Sequence, residues 1–278
     1  MAGQERRRLD AELVRRGLAR SREQAGELIA AGRVSVGGQV AAKAATQVET
    51  SAPVVVAPNG TGEGGAEPDY VSRGGHKLAG ALAAFGPDGL VVAGRRCLDA
   101  GASTGGFTDV LLRAGARQVV AVDVGYGQLA WSLRTDPRVV VVDRTNVRSL
   151  TLDRIGGEPA ELVVGDLSFI SLALVLPALI GCAVPEADFT LMVKPQFEVG
   201  RERLGSGGVV RDPALRAEAV RGVAAAALGL GLGVRGVVAS PLPGPSGNVE
   251  YFLWLRAGAE PLDPAQLDRA VAQGPGNG

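Results

Sequence analysis

Cys97-Leu98-Asp99-Ala100-Gly101-Ala102-Ser103-Thr104-Gly105-Gly106-Phe107 decides the fold. An apolar run suited to a buried strand meets a turn of small residues, and a helix pattern follows. Small residues admit close approach to the backbone, and a helix start offers free N–H groups. Asp123 ends the next apolar run, 24 residues after Asp99. There a carboxylate can accept bonds from the two hydroxyls of a ribose. The strict G-x-G-x-x-G is absent, because Ser103 stands at its second glycine. That departure weighs against a pyrophosphate and toward S-adenosylmethionine, which carries adenosine without phosphates. Gly101 to Gly105 also fits G-x-S-x-G, the nucleophile elbow of hydrolases. That triad needs a histidine after the serine, and His76, the single histidine, precedes it.

Outward from this stretch, strands and helices alternate from Tyr70 onward. Predicted strands are Cys97–Ala100, Val119–Val122, Val139–Val142, Leu162–Val164, Phe189–Val193, Val234–Ala239 and Val249–Leu255. Predicted helices include Thr108–Ala114, Ile170–Ile180 and Pro213–Leu228. Continuous apolar strands separated by helices give a doubly wound, mostly parallel α/β sheet of seven strands. Residues 1–59 read as a small separate α+β unit. Leu9, Val14, Leu13 and Leu18 lie on one helix; Ser21 caps a second that Gly32 stops. Val34-Ser35-Val36 and Gln39-Val40 flank a Gly37-Gly38 hairpin turn, and Val54–Val56 is a further strand. Glycine-rich residues 60–69 read as a flexible linker, 70–257 as the large domain, and 258–278 as a frayed, partly disordered tail.

Composition narrows the function. The 29 basic and 29 acidic residues cancel, so a globally basic nucleic-acid binder is excluded while a locally basic one is not. Cys97 and Cys182 lie far apart in apolar runs, which rules out a disulfide framework and suits a reducing compartment. No metal site is expected. No apolar stretch reaches the roughly 20 residues of a spanning helix, so a cytoplasmic protein without membrane contact is expected. The only lysines are Lys43, Lys77 and Lys194, against 26 arginines. Arginine cannot lose its proton in a protein and lysine can, so scarce lysines hint at chemistry.

Asp166 and Lys194 each follow a predicted strand, and residues past neighbouring strand ends line one crevice. Lys77 lies on a helix opened by Ser72-Arg73-Gly74-Gly75. Glu250 sits in an apolar last strand, where a charge needs a cationic partner. Read in order, Lys77, Asp166, Lys194 and Glu250 resemble the Lys-Asp-Lys-Glu tetrad of the FtsJ-like ribose 2′-O-methyltransferases. With Asp123 to Leu129, Asp166 to Ser171, Lys194 to Gly200 and Pro243 to Glu250, the chain resembles the TlyA family of rRNA cytidine 2′-O-methyltransferases, also labelled haemolysins. The N-terminal unit resembles an S4 RNA-binding domain through Arg8-Leu9-Asp10, Ser21-Arg22 and Gly32 to Lys43.

The resemblance implies a Rossmann-like sheet and methyl transfer from S-adenosylmethionine to a cytidine 2′-hydroxyl in rRNA of the ribosomal subunits. It implies Lys77, Asp166, Lys194 and Glu250 as the catalytic set, with Lys194 at the 2′-oxygen as base or electrostatic stabiliser. Asp99, Gly101, Ser103, Thr104, Gly105, Gly106, Phe107, Asp123, Val124, Asp143 and Asp166 are the candidates for holding the cofactor. Candidate RNA contacts are Arg6, Arg7, Arg8, Arg20, Arg22 and Lys43 in the small unit. In the large one they are Tyr126, Arg144, Arg148, Arg201 and Arg203. No protein partner is expected, and the chain reads as a monomer. Two other functions compete: a non-catalytic RNA-binding or ribosome-assembly factor, and a membrane-lytic haemolysin. The intact tetrad argues against the first, and the lack of a spanning or basic membrane helix against the second.

Overall fold

The computed structural model describes residues 6–19, 21–30, 32–56 and 69–275, with backbone alone at Arg201 and Ser206. The chain divides into two compact units, 1–69 and 70–278. Arg20 and nearly all of the expected linker lie outside the described residues.

The first unit runs β1 (Arg6–Arg8), α1 (Leu9–Arg15), α2 (Arg22–Ala30), β2 (Val34–Val36), β3 (Gln39–Val40), β4 (Gln47–Glu49) and β5 (Val54–Val56). Gly37 and Gly38 have φ of 59° and 84°, the left-handed pair that a two-residue hairpin turn requires. The Ser21 hydroxyl accepts from the Gln24 amide at 3.1 Å and caps α2. Leu9, Leu13, Ala25, Ile29, Val34 and Val48 form the core. Leu18 falls outside α1, because the chain turns at Gly17 with φ of 71°. The antiparallel pairing of β1 with β4 is a finding the sequence does not announce.

The second unit runs α3 (Gly74–Phe85), β6 (Arg96–Ala100), α4 (Gly106–Arg113), β7 (Gln118–Val122), α5 (Trp131–Arg134), β8 (Val139–Val142) and β9 (Ala160–Gly165). It continues through α6 (Leu176–Ile180), β10 (Ala183–Val193), α7 (Pro195–Glu198), α8 (Pro213–Gly229), β11 (Leu232–Ala239), β12 (Tyr251–Ala257) and α9 (Pro264–Ala272). The seven strands are ordered β11-β12-β10-β9-β6-β7-β8. β12 runs antiparallel to both neighbours and the other pairs are parallel. Side chains alternate across the sheet as a strand requires. Leu98, Val120 and Val163 join a core with α6, α8 and α9. Cys97, Val119, Leu162 and Val164 join the opposite core with α3 and α4.

Three expectations are corrected. The tail beyond Gly258 carries α9, capped by Asp263 and burying Leu267 and Ala270 in the main core. The helix expected over Ile170–Ile180 is split into a 3₁₀ turn at Leu172–Leu174 and the short α6, with Pro177 in its first turn. The last strand begins at Tyr251, so Glu250 stands just ahead of it rather than within it.

The glycines of the turn after β6 are required by protein packing. A Cβ on Gly106 would collide with the Ser72 hydroxyl and lie 2.8 Å from the Gly75 nitrogen. Gly106→Ala should therefore cost about 1–3 kcal/mol of stability, read by urea unfolding. Wild-type stability in that variant would mean α3 and α4 do not meet this closely.

Candidate active site

Four neighbouring parallel strands, β9, β6, β7 and β8, each carry one aspartate toward the same end of the sheet. Asp99 is the penultimate residue of β6, and Asp123, Asp143 and Asp166 follow β7, β8 and β9 directly. The parallel register sets Asp123 beside Asp143 and levels Asp166 with Asp123 across β6, while Asp99 lies two residues deeper on β6; like charges gathered in this way repel. Each is answered differently. The Asp123 oxygens accept from the Ser103 and Gly125 amides at 2.8 and 2.7 Å. Asp143 accepts from Arg134 at 2.8 Å and Gly127 at 3.3 Å, and the Arg134 bond holds its carboxyl below the usual range. Asp166 meets Lys194. Asp99 is fully buried and accepts from the Thr108 hydroxyl at 2.7 Å; its Oδ1 lacks a hydrogen-bond partner among the described residues. Burial pushes the Asp99 carboxyl up to about 7, with Thr108 opposing and the charges of Asp166 and Asp123 adding to the rise.

The four tetrad residues form two ion pairs. Lys77, on the second turn of α3, reaches Glu250 Oε2 at 2.5 Å, with both side chains buried. Lys194 Nζ lies 2.6 Å from Asp166 Oδ1 and donates to the Ser168 hydroxyl at 2.9 Å. The Asp166 contact is a charge pair whose angles fall outside those of a hydrogen bond; the directed bond goes to Ser168. The β10–β12 ladder ends at Val193 opposite Tyr251, so Lys194 and Glu250 are the next residues on each strand. That register brings the two pairs to one crevice mouth.

The turn from β6 to α4 holds Gly101, Ser103 and Gly105 at φ of 86°, 48° and 101°. A serine in that region is strained, and its amide is held by Asp123. Cβ atoms on Gly101 and Gly105 would press on Asp166 O and on Leu133 and Leu129. Thr104 and Val124 are exposed beside the turn, while Phe107 is buried against Phe252.

Several candidate RNA contacts are committed to partners within the chain. In the small unit, buried Asp10 receives both Arg8 and Arg22, and Arg6 pairs with Glu49. The Arg8 bond holds the Asp10 carboxyl well below its usual range, against its burial. Arg7 and Lys43 are exposed. In the large unit, the Arg144 guanidinium stacks 4.2 Å above the Tyr126 ring, Arg148 is exposed, and Arg203 is paired with Glu218. The Arg201 side chain lies outside the description.

Three residues at the mouth escape sequence reasoning: Ser168, Phe169 and Glu198. Phe169 is 90% exposed, has a φ of 65°, and its ring lies 5.2 Å from that of Phe197. The only signal was their place in the short motifs that follow β9 and β10. Among the described residues no His/Cys/Asp/Glu group could hold a metal ion, and no helix is long and apolar enough to cross a membrane.

Residues 70–257 match the FtsJ-like methyltransferase family, and residues 7–54 match the S4 domain. The 16S/23S rRNA (cytidine-2′-O)-methyltransferase TlyA of Mycobacterium tuberculosis is 61% identical over 277 residues, covering 97% of this chain and 99% of that protein. Hemolysin A of Brachyspira hyodysenteriae is 35% identical, over 88% of this chain and 98% of its own. A solved haemolysin-named structure from Streptococcus thermophilus superposes with a TM-score of 0.75 at 37% identity, covering 98% of this chain and 96% of its own. The chain belongs to the FtsJ-like methyltransferase family, in the S4-bearing group of these TlyA and haemolysin-named relatives.

Asp99 gives the site a pH signature. Its folded value, about 7, lies above the ordinary 3.8, so folding favours the protonated form. Its cost is absent below about pH 4, grows as pH rises, and is complete above about pH 7. Relative to Asp99→Asn, the wild type should lose about 1.4 kcal/mol of stability per pH unit across that window, measured by urea unfolding from pH 4 to 8. Parallel stability curves for the two proteins would show that Asp99 is ionised without penalty.

Proposed function

We propose that this member of the FtsJ-like family transfers the methyl group of S-adenosylmethionine to the 2′-hydroxyl of a cytidine in rRNA of the small and large ribosomal subunits. The observation that carries this reading is Lys194. Its ammonium, almost wholly buried, sits at the end of β10 between Asp166 at 2.6 Å and Ser168 at 2.9 Å. An ammonium has three donors. One is directed at Ser168 while Asp166 faces the charge, which leaves donor capacity for an incoming 2′-oxygen.

The carboxylate row fits the cofactor's chemistry. S-adenosylmethionine has a cationic sulfur, and a cation set among four aspartates relieves their repulsion. When bound, the cofactor supplies an electrophilic methyl group. Asp123 retains lone pairs beyond its two backbone bonds and can accept from ribose hydroxyls. Lys194 would hold the 2′-oxygen in line with the methyl carbon and stabilise the negative charge that develops as the O–H bond weakens. Lys77 and Glu250 brace the start of α3 against the end of the sheet. Phe169, exposed beside Ser168, offers a face on which the target base can stack, as single-stranded RNA bases do on aromatic side chains. Lys43 and Arg148 are exposed, where a basic side chain can meet the RNA backbone. An rRNA substrate makes this a cytoplasmic enzyme.

Purified ribosomal subunits and labelled S-adenosylmethionine, in single turnover, test the reading. Wild type should transfer label to rRNA. Lys194→Arg, which keeps the charge but not the compact donor, should slow transfer about 100-fold with cofactor affinity unchanged. Phe169→Ala should weaken apparent RNA affinity by the roughly 1–3 kcal/mol of a lost base stack. No transfer by the wild type defeats the proposal, and full-rate Lys194→Arg removes this lysine from the chemistry.

A further inference from the structure

We infer that Glu198 is a positioning residue for methyl transfer: it ties the loop after β9 to α7, and thereby fixes Ser168 and Phe169 relative to Lys194. The inference rests on the methyltransferase reading of this site. Glu198 is the last residue of α7, one turn beyond Lys194. Its Oε2 accepts from the Ser171 hydroxyl at 2.6 Å, and its Oε1 accepts from the Leu172 amide at 2.9 Å. Both carboxylate oxygens are thus spent on a loop 26 residues away in sequence.

This tie is the outermost of three between the same two segments. Lys194 meets Asp166 and Ser168; Phe197 meets Phe169; Glu198 meets Ser171 and Leu172. The segments are laced in step, so the outer bond sets where the inner pairs sit. Pro195 stiffens the α7 side by fixing its own φ. On the opposite side Ser171 caps the Leu172–Leu174 turn, its hydroxyl accepting from Ala173 at 3.3 Å. Between the inner and outer ties stands Phe169 in the left-handed region, at φ of 65°. A bulky residue keeps that conformation only where its surroundings over-determine it.

Burial raises the Glu198 carboxyl against the two bonds it accepts. A half-buried carboxylate that spends both oxygens on a hydroxyl and an amide, with no cation bonded to it among the described contacts, is a costly choice if stability alone were served. The same two bonds can be made without charge. A glutamine oxygen can accept from Leu172, and its NH₂ can donate to Ser171.

The test uses the full chain and three variants, Glu198→Ala, Glu198→Gln and Ser171→Ala. It reads single-turnover rRNA methylation at saturating RNA and cofactor, cofactor affinity by calorimetry, and hydrogen exchange at the Leu172 amide. Glu198→Ala should slow methylation about 10-fold or more, leave cofactor affinity unchanged, and speed Leu172 exchange. Glu198→Gln should restore most of the rate, and Ser171→Ala should fall about 5-fold, the effect of one lost hydrogen bond. A Glu198→Ala enzyme at the wild-type rate overturns the inference. Glu198→Gln as slow as Glu198→Ala also overturns it, because the charge and not the tie would then matter. Should Glu198→Ala fail to fold, Ser171→Ala decides, and a wild-type rate there overturns it. A wild type that methylates no rRNA defeats the methyltransferase reading instead. The tie is then judged by Leu172 exchange in Glu198→Gln and Ser171→Ala, where unchanged exchange in Ser171→Ala counts against it.

Discussion

Four neighbouring parallel strands with an aspartate at or near each end set the problem that the rest of the site answers. Parallel register places the carboxylates along one edge, and their mutual repulsion must be met by something. Backbone amides meet Asp123, Arg134 meets Asp143 and Lys194 meets Asp166. Asp99 is met least, by Thr108 alone among charged and polar side chains, and its burial favours the protonated form. An edge arranged in this way is short of positive charge at its centre. A cationic ligand would complete it, which is the ground for proposing a sulfonium cofactor there rather than a phosphate-bearing one.

The same logic separates the lysines from the arginines. Arginine handles structural burial in this chain: Arg95 reaches Asp188, which also takes the Trp254 indole, and Arg96 reaches the Ile155 and Glu158 carbonyls. These are planar forks serving several acceptors. The lysines at the site serve as point charges. Lys77 spends its charge on Glu250, deep between α3 and the strand that follows. Lys194 is held from two sides at the end of a stiff strand, with capacity left toward the crevice. On the proposed function the tetrad divides labour: one pair braces and the other faces the substrate.

Much of this was legible in the sequence, for local reasons. Continuous apolar runs gave the seven strands, because a sheet covered on both faces needs no polar alternation. The carboxylates and Lys194 were legible because they sit at strand ends, where a charge is out of place unless used. Other features depend on partners far along the chain. Arg6–Arg8 has no strand pattern of its own and becomes one by pairing with Gln47–Glu49. β10 begins at Ala183 despite Pro185 and Glu186, so its first half was invisible. α9 was hidden by the glycines that surround it, although Asp263-Pro264 is a sound helix start. Phe169 and Glu198 carried no pattern; only the folded loops show one ring exposed and one carboxylate committed.

The central claim is that this edge presents Lys194 to a cytidine 2′-oxygen. Nucleoside mass spectrometry of rRNA from isolated ribosomal subunits, treated with the protein and isotopically labelled S-adenosylmethionine, tests it most directly. Label should appear in 2′-O-methylcytidine. Label on a base, on another nucleoside, or on no nucleoside at all would contradict it.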